Sequence, residues 1–175
     1  PPGMLQAAGD DFSNVAVFHS LSKRSSLPGL RVGFVAGDAS ILEKFLLYRT
    51  YHGCALSPMV QQASSVAWQD EAHVVENRRL YRAKFAAFKA ELEGAWALSM
   101  PDAAFYYWAA TPIPDTDFAL GLYRDYNVTV LPGSFLAREA HGLNPGKNFV
   151  RIALVAQEAE CLEAARRIKR YLSHL

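Results

Sequence analysis

The chain has 175 residues, 51% hydrophobic and 20% charged, the make-up of a globular protein of one ordinary domain or one and a half small ones. Lys plus Arg is 18 and Asp plus Glu is 17, so the net charge of +1 speaks against a nucleic-acid or acidic-membrane partner. No run of about 18 apolar residues is present and Pro1-Pro2-Gly3 does not open a signal peptide; Cys54 and Cys161 lack metal spacing, so two reduced thiols in a cytoplasmic protein are expected.

Residues 1–14 are polar, with Pro, Gly and paired Asp10-Asp11, and read as loop with a helical turn at Leu5 to Ala8. Val15 to Ser20 reads as a strand and Leu30 to Ala36 as another, with Lys23 to Leu30 as the loop between. Ser40 with Glu43 three residues later forms a capping box, which predicts a helix over Ile41 to Arg49. Tyr51 to Ser57 is loop. Pro58 opens a helical tract with apolar residues at Val60, Ala63, Ala67, Val74, Tyr81, Phe85, Phe88 and Leu92. Asp70 falls where an apolar residue is due, so it marks a break and a new cap. Two helices are expected, Pro58 to Trp68 and Glu71 to Glu93, the second stopped by Gly94.

From Trp96 the pattern becomes aromatic and strand-like, over Trp96 to Ser99 and Phe105 to Ala110, with Pro101-Asp102 as the turn. Thr116 caps a helix over Asp117 to Tyr126, and Val128 to Leu131 is a β-branched strand closed by Pro132-Gly133. A helical turn near Phe135 to Glu139 interrupts a loop that runs to Pro145. Phe149 to Leu154 is the last strand. The final helix sets Cys161, Ala165, Ile168, Leu172 and Leu175 on one face. No internal repeat is present, and the five histidines form no ligand pattern, so no metal is expected.

Chemistry concentrates between the first two strands. Between the apolar runs lie four serines, one lysine and two arginines, with Pro28-Gly29 forcing a turn. Ser20 and Ser22 supply hydroxyls, and Arg31 can grip a phosphate with two parallel N–H bonds. Lys23 sits between them, where cationic neighbours favour the neutral, nucleophilic amine. A phosphate handle beside an aldehyde-reactive amine suits pyridoxal 5′-phosphate. A basic surface loop is the alternative on chemistry alone.

Ser20-x-x-Lys23, with Arg31 eight residues after the lysine and Gly33 two further on, resembles the lysine segment of the class I/II aminotransferases. The longer string HSLSKRSSLPGLRVGFVAGD, continued by Tyr48-Arg49-Thr50-Tyr51-His52-Gly53-Cys54, resembles the succinyldiaminopimelate aminotransferase subgroup. The resemblance covers nearly the whole chain but only the second half of such an enzyme. It implies an α/β fold, the C-terminal part of an aspartate-aminotransferase-like fold. Residues 1–70 would be the remnant of the large cofactor domain and 71–175 the small domain, with the second long helix carrying the chain from one to the other. The spacing of that helix equally suits two packed core helices.

The resemblance also implies roles. Lys23 would join the cofactor aldehyde and later move the proton between the substrate α-carbon and the cofactor. Ser20 and Arg31 would bind its phosphate, with Ser22 assisting. Arg151, inside the apolar run Phe149 to Ala153, would bind the substrate α-carboxylate; a salt bridge or an edge-strand arginine is the alternative. Arg49 could meet a distal carboxylate, although a helix-terminal arginine satisfying carbonyls is the simpler reading.

Substrates would be an amino acid, expected to be N-succinyl-diaminopimelate, and 2-oxoglutarate, and the intact enzyme would be a homodimer. Another transaminase, a β-lyase, or a non-catalytic structural fragment are the alternatives. The residues that hold the cofactor ring in this family lie upstream of the lysine segment, and Asp10 and Asp11 are too close to Lys23 to be the pyridine aspartate. The chain by itself is therefore expected to be inactive. Its apolar edge near Val15 to Phe18 is expected to promote self-association or pairing with the upstream half.

Overall fold

The computed structural model describes residues 2–175. The chain divides into two compact units, Pro1–Asn77 and Arg78–Leu175. The division falls inside a long helix, beyond the turn at Asp70 where a boundary was expected.

In the first unit, helix α1 (Met4–Ala8) precedes strand β1 (Ala16–Ser20), which pairs antiparallel with β2 (Gly33–Gly37). The register sets Ser20 opposite Gly33 and Phe18 opposite Val35. Between these strands the expected loop is partly helical: a single turn α2 (Leu21–Arg24) and a 3-10 turn over Pro28–Leu30. Ser20 causes the first turn, because its hydroxyl accepts from the Ser22 N–H at 3.1 Å and so caps it. Leu21 is fully buried beneath it.

Helix α3 (Ala39–Tyr51) begins two residues before the expected Ser40 capping box would allow. Asp38 is the cap, and its carboxylate accepts from both the N–H and the hydroxyl of Ser40 at 2.8 Å. The Asp38 carboxylate thereby takes the capping role and leaves Ser40 inside the first turn, its hydroxyl a donor rather than a cap. It also accepts the Asn14 N–H at 2.8 Å, tying the approach to β1 onto the helix start. Those bonds, led by the one from Asn14, pull the Asp38 carboxyl down to about 2.

Helices α4 (Pro58–Gln69) and α5 (Ala72–Glu91) break at Asp70 as expected. Ser57 caps α4, and Asp70 accepts the Ala72 N–H at 2.9 Å. The buried residue of α4 is Ser64, satisfied by donating to the Val60 carbonyl at 2.6 Å, rather than the Ala63 of the expected apolar stripe. At the far end of α5, Gly94 takes φ +76°, the left-handed backbone that ends a helix.

The second unit is built on a three-stranded antiparallel sheet of β3 (Tyr106–Ala110), β4 (Leu131–Pro132) and β5 (Phe149–Ala153), with β5 in the centre. Tyr107, Ala109, Val150 and Ile152 form its buried face. They share one core with Phe85, Phe88 and Leu92 of α5, Phe118 and Leu122 of α6 (Asp115–Tyr126), and Cys161, Ala165, Ile168 and Tyr171 of α8 (Glu158–Leu172). The Tyr107 hydroxyl donates to the Phe85 carbonyl at 2.8 Å, and burial pushes it up to about 12. On α8, Tyr171 takes the buried place expected of Leu175, which is exposed.

Three expected elements differ. Trp96 to Ser99 forms no strand; Leu98 is buried and the Trp96 indole donates to the Ala110 carbonyl at 2.7 Å, so the segment is held by side chains without a ladder. Helix α6 starts at Asp115, ahead of Thr116. Val128 to Val130 alternates like a strand and buries both valines, yet only Leu131 and Pro132 pair with β5.

Asp115 is buried. Burial raises its carboxyl, but the N–H groups of Ser134 at 2.9 Å and Asn148 at 3.1 Å outweigh that and hold it below the usual range. It thereby fixes the single turn α7 (Gly133–Leu136) beside the start of β5. A Cβ at Gly133 would lie 2.4 Å from the Gly146 carbonyl oxygen, so this approach requires glycine.

Candidate functional site

The lysine-bearing turn is closed by backbone and hydroxyl bonds. Leu21 N–H donates to the Val32 carbonyl at 3.3 Å, and Leu27 N–H to the Leu21 carbonyl at 3.2 Å. The Ser20 hydroxyl donates to the Val32 carbonyl at 3.0 Å and lies 2.9 Å from the Ser22 hydroxyl. Ser20 is thus bonded to the residue that follows Arg31. Gly33 permits this: a Cβ there would sit 2.4 Å from the His19 carbonyl oxygen. Ser20, Ser22, Lys23 and the Arg31 backbone are brought to one end of the β1–β2 ribbon.

Lys23 is exposed on α2. Arg31 is exposed and has a left-handed backbone, φ +53°, and its guanidinium donates to the Pro28 carbonyl at 2.8 Å. A guanidinium has five N–H donors, so this bond leaves it capacity for an anion. Arg49 donates to the Cys54 carbonyl at 3.1 Å and folds over Gly53, the carbonyl-satisfying arrangement. Tyr48 and His52 stack beside it with ring centroids 4.5 Å apart.

In the second unit, Arg151 points from the half-buried face of β5. The edge-strand alternative fails, because β5 lies between β3 and β4. Its register partners are Trp108 and Leu131, and its guanidinium lies 5.6 Å from the Tyr106 ring centroid. Trp108 stacks on Phe149 at 5.7 Å on the same face. The arginine therefore has an aromatic floor that leaves its planar edge suited to a carboxylate.

Several residues around the turn carried no sequence signal. Arg24, with 9% of its side chain exposed, bonds to the end of α4, and His73 reaches Ser25. Their partners lie more than forty residues away in the chain, beyond any local pattern. Among the described residues no group of three or more His, Cys, Asp or Glu is placed to hold a metal ion, and no helix is long and apolar enough to cross a membrane.

A family model for aminotransferase class I and II matches residues 5–168. The chain belongs to the class I and II aminotransferases. A crystal structure of an aminotransferase from Neisseria meningitidis is 51% identical, with a TM-score of 0.93 over 98% of this chain and 44% of that one. A probable N-succinyldiaminopimelate aminotransferase from Thermus thermophilus is 31% identical, with a TM-score of 0.81 over 92% of this chain and 43% of that one. The LL-diaminopimelate aminotransferase of Nitratidesulfovibrio vulgaris is 32% identical over 173 residues, 96% of this chain and 42% of that protein. The chain spans less than half the length of each.

This aminotransferase family depends on pyridoxal phosphate. The donor set here fits that group: two adjoining hydroxyls and a guanidinium for a phosphate ester, and a primary amine on the same turn for an aldehyde. The fold is the C-terminal part of the aspartate-aminotransferase-like α/β architecture.

Proposed function

We propose that the whole protein is a pyridoxal-phosphate-dependent aminotransferase that moves an amino group between an amino acid and a 2-oxo acid, and that this chain carries its cofactor lysine. The observation that carries the reading is the closed turn holding Ser20, Ser22 and Lys23 against the Arg31 backbone. Ser20, Ser22 and Arg31 bind the cofactor phosphate. The Lys23 amine would hold the cofactor at its aldehyde carbon and, once free, would carry the proton at the substrate α-carbon. When bound, the cofactor supplies the electron sink that acidifies that α-carbon. Arg151 orients the substrate through its α-carboxylate.

The proposed substrate pair is N-succinyl-LL-2,6-diaminopimelate and 2-oxoglutarate, with a place in lysine biosynthesis. Its support is the lysine-segment string together with the likeness to two diaminopimelate-type aminotransferases. Arg49 gives one donor to the Cys54 carbonyl, and its remaining N–H groups are assigned to the distal carboxylate. Residues 1–70 belong to the large domain and 71–175 to the small one, in a cytoplasmic homodimer.

The test uses the full-length protein loaded with pyridoxal phosphate. Borohydride reduction and peptide mapping should label Lys23; a label on another lysine overturns the assignment. Arg151→Lys keeps charge but loses the two-pronged grip, so kcat/KM for N-succinyl-diaminopimelate should fall by about 30- to 1,000-fold, a loss of about 2–4 kcal/mol, with cofactor affinity unchanged. Full activity per folded molecule in that variant would make Arg151 structural.

A further inference from the structure

Arg24 directly follows Lys23, and its side chain is more buried than arginines ordinarily are. Its guanidinium donates to the carbonyls of Ala67 at 2.7 Å and Trp68 at 3.2 Å, and to the Ser25 hydroxyl at 3.2 Å. It also pairs with the Glu71 carboxylate and lies 5.0 Å from the Trp68 ring centroid. Ala67 and Trp68 belong to the last turn of α4, whose carbonyls have no partner within the helix and form its negative end.

A second arm runs in parallel. The Ser25 hydroxyl lies 2.9 Å from His73 Nε2, and His73 Nδ1 lies 2.8 Å from Asp70 Oδ2. The bond from His73 leads those that hold the Asp70 carboxyl below its usual range. The Trp68 ring packs against His19 and Phe34, at 5.3 and 5.0 Å, so both strands of the ribbon meet the same post. Two consecutive residues after Lys23 are thus anchored to one place, the α4–α5 junction.

We propose that Arg24 and His73 are positioning residues that lock the turn bearing Lys23 to the α4–α5 junction and so fix where the Lys23 amine is presented. A lysine stem is flexible, and fixing its backbone root removes freedom that bond formation at the amine would otherwise have to remove. The inference rests on Lys23 being the cofactor lysine. Neither positioning residue needs to touch the cofactor.

The experiment reconstitutes full-length apoenzyme with pyridoxal phosphate and follows the visible band of the lysine-bound cofactor. Affinity for pyridoxamine 5′-phosphate, which has no aldehyde, is measured beside it. Arg24→Met and His73→Phe should slow band formation by about tenfold, with pyridoxamine phosphate affinity within about threefold of wild type. Arg24→Lys should recover part of the rate. Band formation at the wild-type rate in Arg24→Met, or an equal loss in both measurements, overturns the lock. If Arg24→Met does not fold, Ser25→Ala and His73→Phe decide by the same split. Lys23→Ala separates the two readings: a surviving band overturns the lysine assignment, whereas its loss there beside wild-type rates in the other variants overturns the lock alone.

Discussion

The two compact units keep order by different means. Arg78–Leu175 folds its large apolar side chains into one core, where Phe88, Phe118, Leu92, Leu122 and Ile168 are fully buried. In Pro1–Asn77, the buried apolar side chains among the described residues are Leu21, Val32 and Val74, while Phe18, Leu46, Leu47 and Tyr51 are exposed. That unit is tied instead by charged side chains on backbone groups: Arg24 on the end of α4 and Asp38 on the start of α3. Burial spreads stability over many atoms, whereas such ties concentrate it in a few bonds. Within this chain, the unit that carries Lys23 relies on such bonds.

The comparison breaks most readily at the core. Phe88→Ala should cost about 3–5 kcal/mol, whereas Leu46→Ala, at a side chain 70% exposed, should stay within about 0.5 kcal/mol. Urea midpoints at unchanged slope measure both. Equal losses would mean that the first unit's exposed side chains are buried in solution.

A smaller effect is expected at Asp115, a buried carboxylate of the second unit. Asp115→Ala strands the N–H groups of Ser134 and Asn148 and should cost about 2–3 kcal/mol. Differential scanning calorimetry would show it, and an unchanged Tm would mean that water replaces the carboxylate.

The smallest effect is the most pointed. Asp38 titrates at about 2 in the fold against an ordinary 3.8, so the folded state binds its proton more weakly than the unfolded chain. Its contribution is complete above the unfolded value and fades as pH falls through about 2. Amide exchange at the start of α3 should therefore differ between wild type and Asp38→Asn near neutrality and converge in strong acid. A difference independent of pH would mean that the charge plays no part.

Local punctuation was legible in the sequence. The strand pair around the serine-rich turn, the break at Asp70 and the stop at Gly94 all follow from residues that act on their own neighbours. Elements that depend on distant partners were not. Val128 and Val130 look like strand residues because they are buried, but a strand also needs a ladder, and only Leu131 and Pro132 find one. Helix α3 starts ahead of the Ser40 capping-box pattern because Asp38 also fits a cap, and Ser40, bonded to it as a donor, lies inside the first turn. Around the candidate site, Ser20, Ser22 and Lys23 stand out by their spacing, and they do share one turn. Arg24 could not, since an arginine beside a lysine reads as one more surface cation until the end of α4 is brought to it.

Arg31 holds a left-handed backbone, a conformation that costs a residue with a Cβ about 1–2 kcal/mol and glycine almost nothing. Selection for thermal tolerance and selection for turnover would then pull this position in opposite directions. A library screened by heat alone would drift toward glycine there, relaxing the turn while discarding the proposed phosphate donor. Only a screen that demands both would keep the arginine, and the protein would continue to carry a small standing debt of stability at the place where the cofactor phosphate is proposed to sit.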